Sequence, residues 1–153
     1  DVENNYPNKY CKDKKTKKPF ANWIEVGALS WETGEDAVAT FSNYGKVNVD
    51  VFAPGVDIYA TIPGSEYESL SGTSMASPVT AGVAALVWSY YPELSVKELR
   101  KCIVESTVKL SDFVSLPGSN GSKQVEFKDL CNTSGVVNAY KALQMADKIM
   151  ASK

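Results

Sequence analysis

The sequence predicts a single α/β unit on a mostly parallel sheet. Three observations predict it: short apolar strand-like runs in the first half, helical apolar patterns after residue 74, and no linker or internal repeat between them. The composition suits one folded unit. Of 153 residues, 44% are hydrophobic, 22% charged and 10% aromatic, which is enough apolar material for one core.

The elements read in order. Residues 1–20 are polar and turn-rich, with a lysine cluster at Lys12, Lys14, Lys15, Lys17 and Lys18 that reads as a solvated loop. Trp23 to Leu29 reads as a strand. Val47 to Phe52 alternates apolar and polar residues and stops at Pro54-Gly55, a strand followed by a turn. Ile58 to Thr61 and Tyr67 to Leu70 are short extended pieces around Pro63-Gly64. From Ser74 to about Tyr91 the chain is small or apolar around most of a helical circumference, which predicts a buried helix ended by Pro92. Ser95-Val96-Lys97-Glu98 is a capping box that opens a second helix running to about Ser106. Leu110 to Asn132 carries the turn signals Pro117-Gly118 and Asn120-Gly121 and reads as loop. A last helix spans Val136 to about Met150, entered from Ser134-Gly135, with its regular part expected from about Asn138.

A net charge of −2 gives no electrostatic reason to propose nucleic acid as a partner. The longest apolar stretch, Val83 to Trp88, is far too short for a membrane span. The three cysteines, Cys11, Cys102 and Cys131, show no CxxC spacing and so make no zinc or redox motif. Cys102 with Cys131 is one pairing, and three separate thiols is the other reading. Asn120-Gly121-Ser122 and Asn132-Thr133-Ser134 match glycosylation sequons, a short pattern that arises often by chance. There is no histidine.

The segment Ser71-Gly72-Thr73-Ser74-Met75-Ala76-Ser77-Pro78 carries the chemistry. It sets a serine in the first turn of a helix directly after a glycine turn. The free N–H groups and the positive dipole end of that turn face the same spot, where a developing oxyanion is stabilised. Pro78 is expected within the first turn or so, where a missing N–H costs least. A serine that only caps a helix explains one residue of this segment and leaves its neighbours unexplained.

Gly72-Thr73-Ser74-Met75-Ala76-Ser77-Pro78 resembles the serine motif of the subtilisin-like proteases, and Ala81 to Leu86 resembles the rest of that family's nucleophile helix. Ala39 to Gly45, Val51 to Ile58, Ile24 to Ala28 and Gly135 to Ala139 fit the same family, while residues 8–20 and 111–131 are less typical. The resemblance implies a subtilisin-like three-layer fold whose N-terminal part is missing from this chain, with residues 1–153 as the C-terminal portion of one peptidase domain. It implies a secreted or periplasmic serine endopeptidase acting on peptides or proteins, with Ser74 as nucleophile and no cofactor. By the same resemblance the Thr73 hydroxyl helps bind the oxyanion, Ser71 and Gly72 line the primed side, Tyr6-Pro7 rims the specificity pocket, and Phe41 lies on the leaving-group side. Asp50 falls where the family sometimes places a cation-site carboxylate; one carboxylate makes no calcium site, and no metal is assigned.

Two departures stand out. Val79-Thr80 replaces a His-Val pair common in the family, at a packing position. The family's catalytic aspartate and histidine precede the serine, and neither motif occurs before Ser74. The resemblance therefore makes the N-terminal half of the same catalytic domain a partner of this chain and predicts an inactive isolated chain. The alternative is a non-catalytic module of this fold that binds peptides or proteins.

Overall fold

The computed structural model describes Lys9 and residues 19–153. Along the chain come β1 (Val26–Leu29), β2 (Val51–Pro54), β3 (Ile58–Ile62), β4 (Glu66–Leu70), α1 (Thr73–Tyr90), α2 (Val96–Glu105), β5 (Val108–Lys109), β6 (Phe113–Ser115), β7 (Gln124–Glu126), β8 (Gly135–Val136) and α3 (Ala139–Ala151).

The main sheet has the order β1-β2-β8-β5. β1 pairs parallel to β2 and β2 parallel to β8, while β5 runs antiparallel to β8, so the sheet is mostly parallel as expected. β2 explains why. Val51, Phe52 and Ala53 are all fully buried, the unbroken apolar run of a strand covered on both faces. Ala53 and Ala28 pack with Ala39 and Ala76 of α1 on one face. On the other face Phe52 joins Val38, Val49, Val114, Phe127, Leu130 and Cys131, its ring 5.1 Å from that of Phe127. Gly27, the β1 partner of Phe52, has room for no side chain: a Cβ there would lie 2.5 Å from the Phe52 ring.

A third cluster ties the helices together: Val87 from α1, Leu99, Cys102 and Ile103 from α2, and Ala142 and Ala146 from α3. The capping box of α2 forms in full, and Asn138 caps α3 by accepting from Lys141 N at 2.8 Å.

Several expectations change. The strand read at Val47 to Phe52 starts only at Val51. Asp50 before it is buried and carries ion pairs, with Arg100 Nη2 at 2.9 Å from its Oδ1, while its Oδ2 accepts from Glu25 N at 3.0 Å. Lys9 Nζ donates to the Val47 and Asn48 carbonyls at 2.6 and 3.0 Å and makes an ion pair, without hydrogen-bond geometry, to Glu25 Oε2 at 3.2 Å. The stretch read as loop at 110–132 contains the β6–β7 hairpin and the buried Phe127 and Leu130. Gly135-Val136, read as a helix entry, is instead the strand wedged between β2 and β5. A Cβ at Gly135 would meet Thr107 Oγ1 at 2.5 Å, so this narrow slot takes glycine only. Cys102 and Cys131 are both free thiols, each buried in a different cluster, so the pairing reading is set aside. Cys11 and the lysine cluster lie outside the described residues.

The composition of α1, small or apolar around most of its circumference, reads as that of a buried helix, yet among the described residues only Ala76, Thr80 and Val87 of it are buried. Ser77, Pro78, Ala81, Gly82, Ala85, Leu86 and Ser89 are exposed, at the three- and four-residue spacing of one helical face. An apolar stripe thus faces outward along the helix that carries the serine motif. Among the described residues, no helix is long and apolar enough to cross a membrane.

Candidate active site

The serine motif is held where β1, β2 and the start of α1 converge. After β2 the chain turns at Gly55, runs out through the β3–β4 hairpin and returns at Ser71-Gly72. Gly55 N donates to Leu29 O at 3.0 Å, and Gly72 N donates to Gly55 O at 2.7 Å. The approach is so close that a Cβ on Gly55 would sit 2.7 Å from Ala28 Cβ, 2.8 Å from Gly72 O and 3.2 Å from Ala76 Cβ. α1 therefore starts at the carboxyl ends of two parallel strands, the usual location of sites in α/β sheets.

Gly72 is extended, at φ 159° and ψ 162°, and caps α1 with its backbone alone. Its carbonyl accepts from Met75 N at 3.0 Å and Ala76 N at 3.2 Å. The amides of Thr73 and Ser74 make no hydrogen bond to any described residue, and no acidic side chain occupies the first turn. Ser74, second residue of α1, is exposed, and its Oγ has no partner among the described residues. The helix start thus presents a hydroxyl, two free N–H donors and an uncompensated positive dipole end together. The arrangement suits stabilisation of a negative charge on oxygen.

Pro78 corrects one expectation. It is the sixth residue of α1, beyond the first turn, so the Ser74 carbonyl loses the donor that residue 78 would supply.

The remaining predicted residues fall as follows. Thr73 is the first helical residue and half-buried. Ser71 is exposed, and its Oγ accepts from Asp57 N at 2.9 Å, which ties the foot of the β3–β4 hairpin to the motif. Asp57 needs that support, because its φ of 52° is in the left-handed region. Phe41 is 49% exposed. Its neighbour Ser42 is buried, accepting at Oγ from Ala28 N of β1 and donating to Asn43 O, both at 2.8 Å. Ala39, two residues before Phe41, packs with Ala76 beneath the first turn of α1, so the structure brings the Phe41 segment to the same end of the sheet as Ser74. Tyr6 lies outside the described residues.

Asp50 is committed to internal partners. Among the described residues no group of three or more His, Cys, Asp or Glu side chains is placed to hold a metal ion. Sequence reasoning missed two supports of the site. Gly55 signals a turn and lies in the family-like stretch Val51 to Ile58, but its close approach to Gly72 is a tertiary fact. Ser42 lies in the family-like stretch Ala39 to Gly45, where nothing local marks its hydroxyl as the acceptor for β1.

Residues 2–141 match a family model described as the Subtilase family. Subtilisin DY of Bacillus licheniformis is 47% identical over 89 residues, which is 58% of this chain and 31% of the relative. The thermophilic serine proteinase of Bacillus sp. (strain AK1) is 48% identical over 92 residues, 60% of this chain and 21% of the relative. Among solved structures, the A-subunit of the AB5 toxin from E. coli superposes with a TM-score of 0.63 at 28% identity, covering 80% of this chain and 37% of that one. The patellamide maturation protease PatA gives a TM-score of 0.63 at 27% identity, covering 83% and 44%. The chain therefore spans about a third or less of the length of these curated relatives.

Proposed function

This chain belongs to the Subtilase family, and from that premise we propose that Ser74 is the nucleophile of a serine endopeptidase that cleaves peptides or proteins. The observation that carries the proposal is the exposed Ser74 hydroxyl beside two unbonded amides at the start of α1. In the reaction, Ser74 Oγ attacks the carbonyl carbon of the scissile bond as its proton passes to a general base. The carbonyl oxygen gains charge facing the Ser74 N–H and the helix dipole. The base returns the proton to the departing amine, leaving an ester on Ser74. Water, deprotonated by the same base, then hydrolyses the ester.

The Thr73 hydroxyl is assigned a second contact to the oxyanion. Ser71 and Gly72 line the primed side, Phe41 lies on the leaving-group side, and Tyr6 rims the specificity pocket. No cofactor enters these steps.

A serine hydroxyl needs a base whose pKa lets it take and return a proton near neutrality, and histidine is the usual one. This sequence holds no histidine. We assign the base, its orienting aspartate and a further oxyanion donor to the N-terminal half of the same catalytic domain, outside these 153 residues. Residues 1–153 are then the C-terminal portion of that domain. The outward stripe of Pro78, Ala81, Gly82, Ala85 and Leu86 supports this, because an apolar helix face beside the nucleophile is a surface another layer would cover. Residence outside the cytoplasm, secreted or periplasmic, follows the family.

The test compares the intact protein, its Ser74→Ala variant and the isolated 153-residue chain on a chromogenic peptide. Turnover is expected from the intact protein alone, with the variant slower by at least about 1,000-fold. Activity in the isolated chain that Ser74→Ala abolishes would identify a base other than histidine. A folded but inactive intact protein would leave a peptide-binding module of this fold.

A further inference from the structure

Residues 111–131, one of the two stretches that read as less typical of the family in the sequence, fold onto the segment that carries Phe41. The β6–β7 hairpin is anchored from below: Val114 and Phe127 are fully buried against Phe52 of β2, and Pro117 is buried in the connection. The connection is internally braced. Leu116 N donates to Lys123 O at 2.8 Å, and Ser119 N to Leu116 O and Ser122 N to Ser119 O, both at 3.0 Å. From this braced turn Gly118 N donates to Thr40 O at 2.9 Å, and Gln124 Nε2 bonds Glu35 Oε2.

Thr40 is the residue between Ala39, packed beneath the first turn of α1, and the half-exposed Phe41. On the far side Ser42 N donates to Ala39 O at 2.9 Å, and Ser42 Oγ accepts from β1. The two exposed residues are thus fixed from both ends, by the sheet through Ser42 and by the hairpin through Gly118.

We propose that the β6–β7 hairpin is a positioning element for the leaving-group side of the cleft, acting through the Gly118 N–H on the Thr40 carbonyl. The proposal rests on the reading of Ser74 as nucleophile and of Phe41 as lying on the leaving-group side. Gly118, at φ +79°, offers a clean handle: an added Cβ meets nothing within 4 Å, so backbone conformation and not space restricts the position. Valine is strained in that conformation, whereas asparagine tolerates it. Gly118→Val therefore shifts the N–H from Thr40 O, and Gly118→Asn keeps it in place.

The experiment uses the intact protein and two substrates. One is a peptide p-nitroanilide, with no residue after the scissile bond; the other is a fluorogenic peptide extending several residues past it. Gly118→Val is expected to raise KM for the spanning peptide about fivefold or more while kcat/KM on the anilide stays within about twofold. Gly118→Asn is expected to behave as the parent on both. If the valine variant does not accumulate folded, Gly118→Ala, with milder strain, is read by the same ratio. A parent that cleaves both substrates, with variants that lose activity equally on both or on neither, overturns the positioning role alone. A parent that cleaves neither overturns this role together with the nucleophile reading.

Discussion

Replacing Gly55 by alanine adds one methyl group where the sheet and the start of α1 come closest. That methyl would lie 2.7 Å from Ala28 Cβ and 2.8 Å from Gly72 O, where carbon contacts are normally about 3.5–4.0 Å. Something must therefore move by about 1 Å. Gly55 is not among the positive-φ residues, so alanine brings no backbone strain and the effect isolates crowding. Overpacking of this kind costs about 1–3 kcal/mol, or about 2–12 °C in Tm for a domain of this size class. Ala28 is fixed in β1 by its N–H to Ser42 Oγ, and Ala76 is fully buried. The softest neighbour is Gly72, joined to Gly55 by the 2.7 Å hydrogen bond and only two residues before Ser74. A displacement of about 1 Å at a reacting group costs up to about 100-fold in rate. Gly55→Ala in the intact protein should therefore lower Tm and also lower kcat per folded molecule, with KM less affected. Thermal unfolding and steady-state hydrolysis of a chromogenic peptide, normalised to circular dichroism, read both. An unchanged Tm would refute the packing argument. A lowered Tm with unchanged kcat would refute the coupling of Gly55 through Gly72 to Ser74.

Two further predictions concern ionisable groups away from the site. The Glu98 carboxyl is lowered from 4.5 to about 2, first by its hydrogen bond from the Ser95 backbone N–H in the capping box. A depressed carboxyl stabilises the fold above its unfolded value and loses that contribution as pH falls. The stability gap between parent and Glu98→Gln should thus be full above pH 4.5 and close toward pH 2; a gap independent of pH would contradict it. Burial pushes the Cys102 and Cys131 thiols up, so neither is a thiolate near neutrality. Iodoacetamide at pH ~7.5 should alkylate them only after unfolding, and rapid modification in the native protein would contradict their placement.

The helices were largely legible in sequence because each announces itself locally. Ser95 with Glu98 forms the capping box, Asn138 caps α3, and Pro92 follows the end of α1. The strands were less so. Gly135-Val136 pairs over two residues, too short for any periodicity, and owes its place to the slot between β2 and β5. Phe127 stands alone between Glu126 and Lys128, the Leu130-Cys131 pair is too short for a periodicity, and the turn signals at Pro117-Gly118 and Asn120-Gly121 outweigh them. The outward face of α1 shows what composition does and does not report. Composition reports the environment a helix is built for, and the described residues cover only one side of it. At the candidate site, Ser74 followed from the motif itself. Gly55 and Gly118 act through backbone hydrogen bonds and Ser42 through its hydroxyl, all to partners distant in sequence, which no local pattern encodes.

The central claim is that Ser74 is an activated nucleophile in the intact protein, and covalent labelling tests it most directly. A fluorophosphonate reacts with an activated serine and leaves unassisted hydroxyls alone. After brief treatment of the native protein, peptide mass spectrometry should find the phosphonyl adduct on Ser74, with loss of peptidase activity in proportion to labelling and no adduct in the unfolded protein. An intact protein that hydrolyses peptides while Ser74 stays unlabelled, or that is inactivated by an adduct on another residue, would contradict the account.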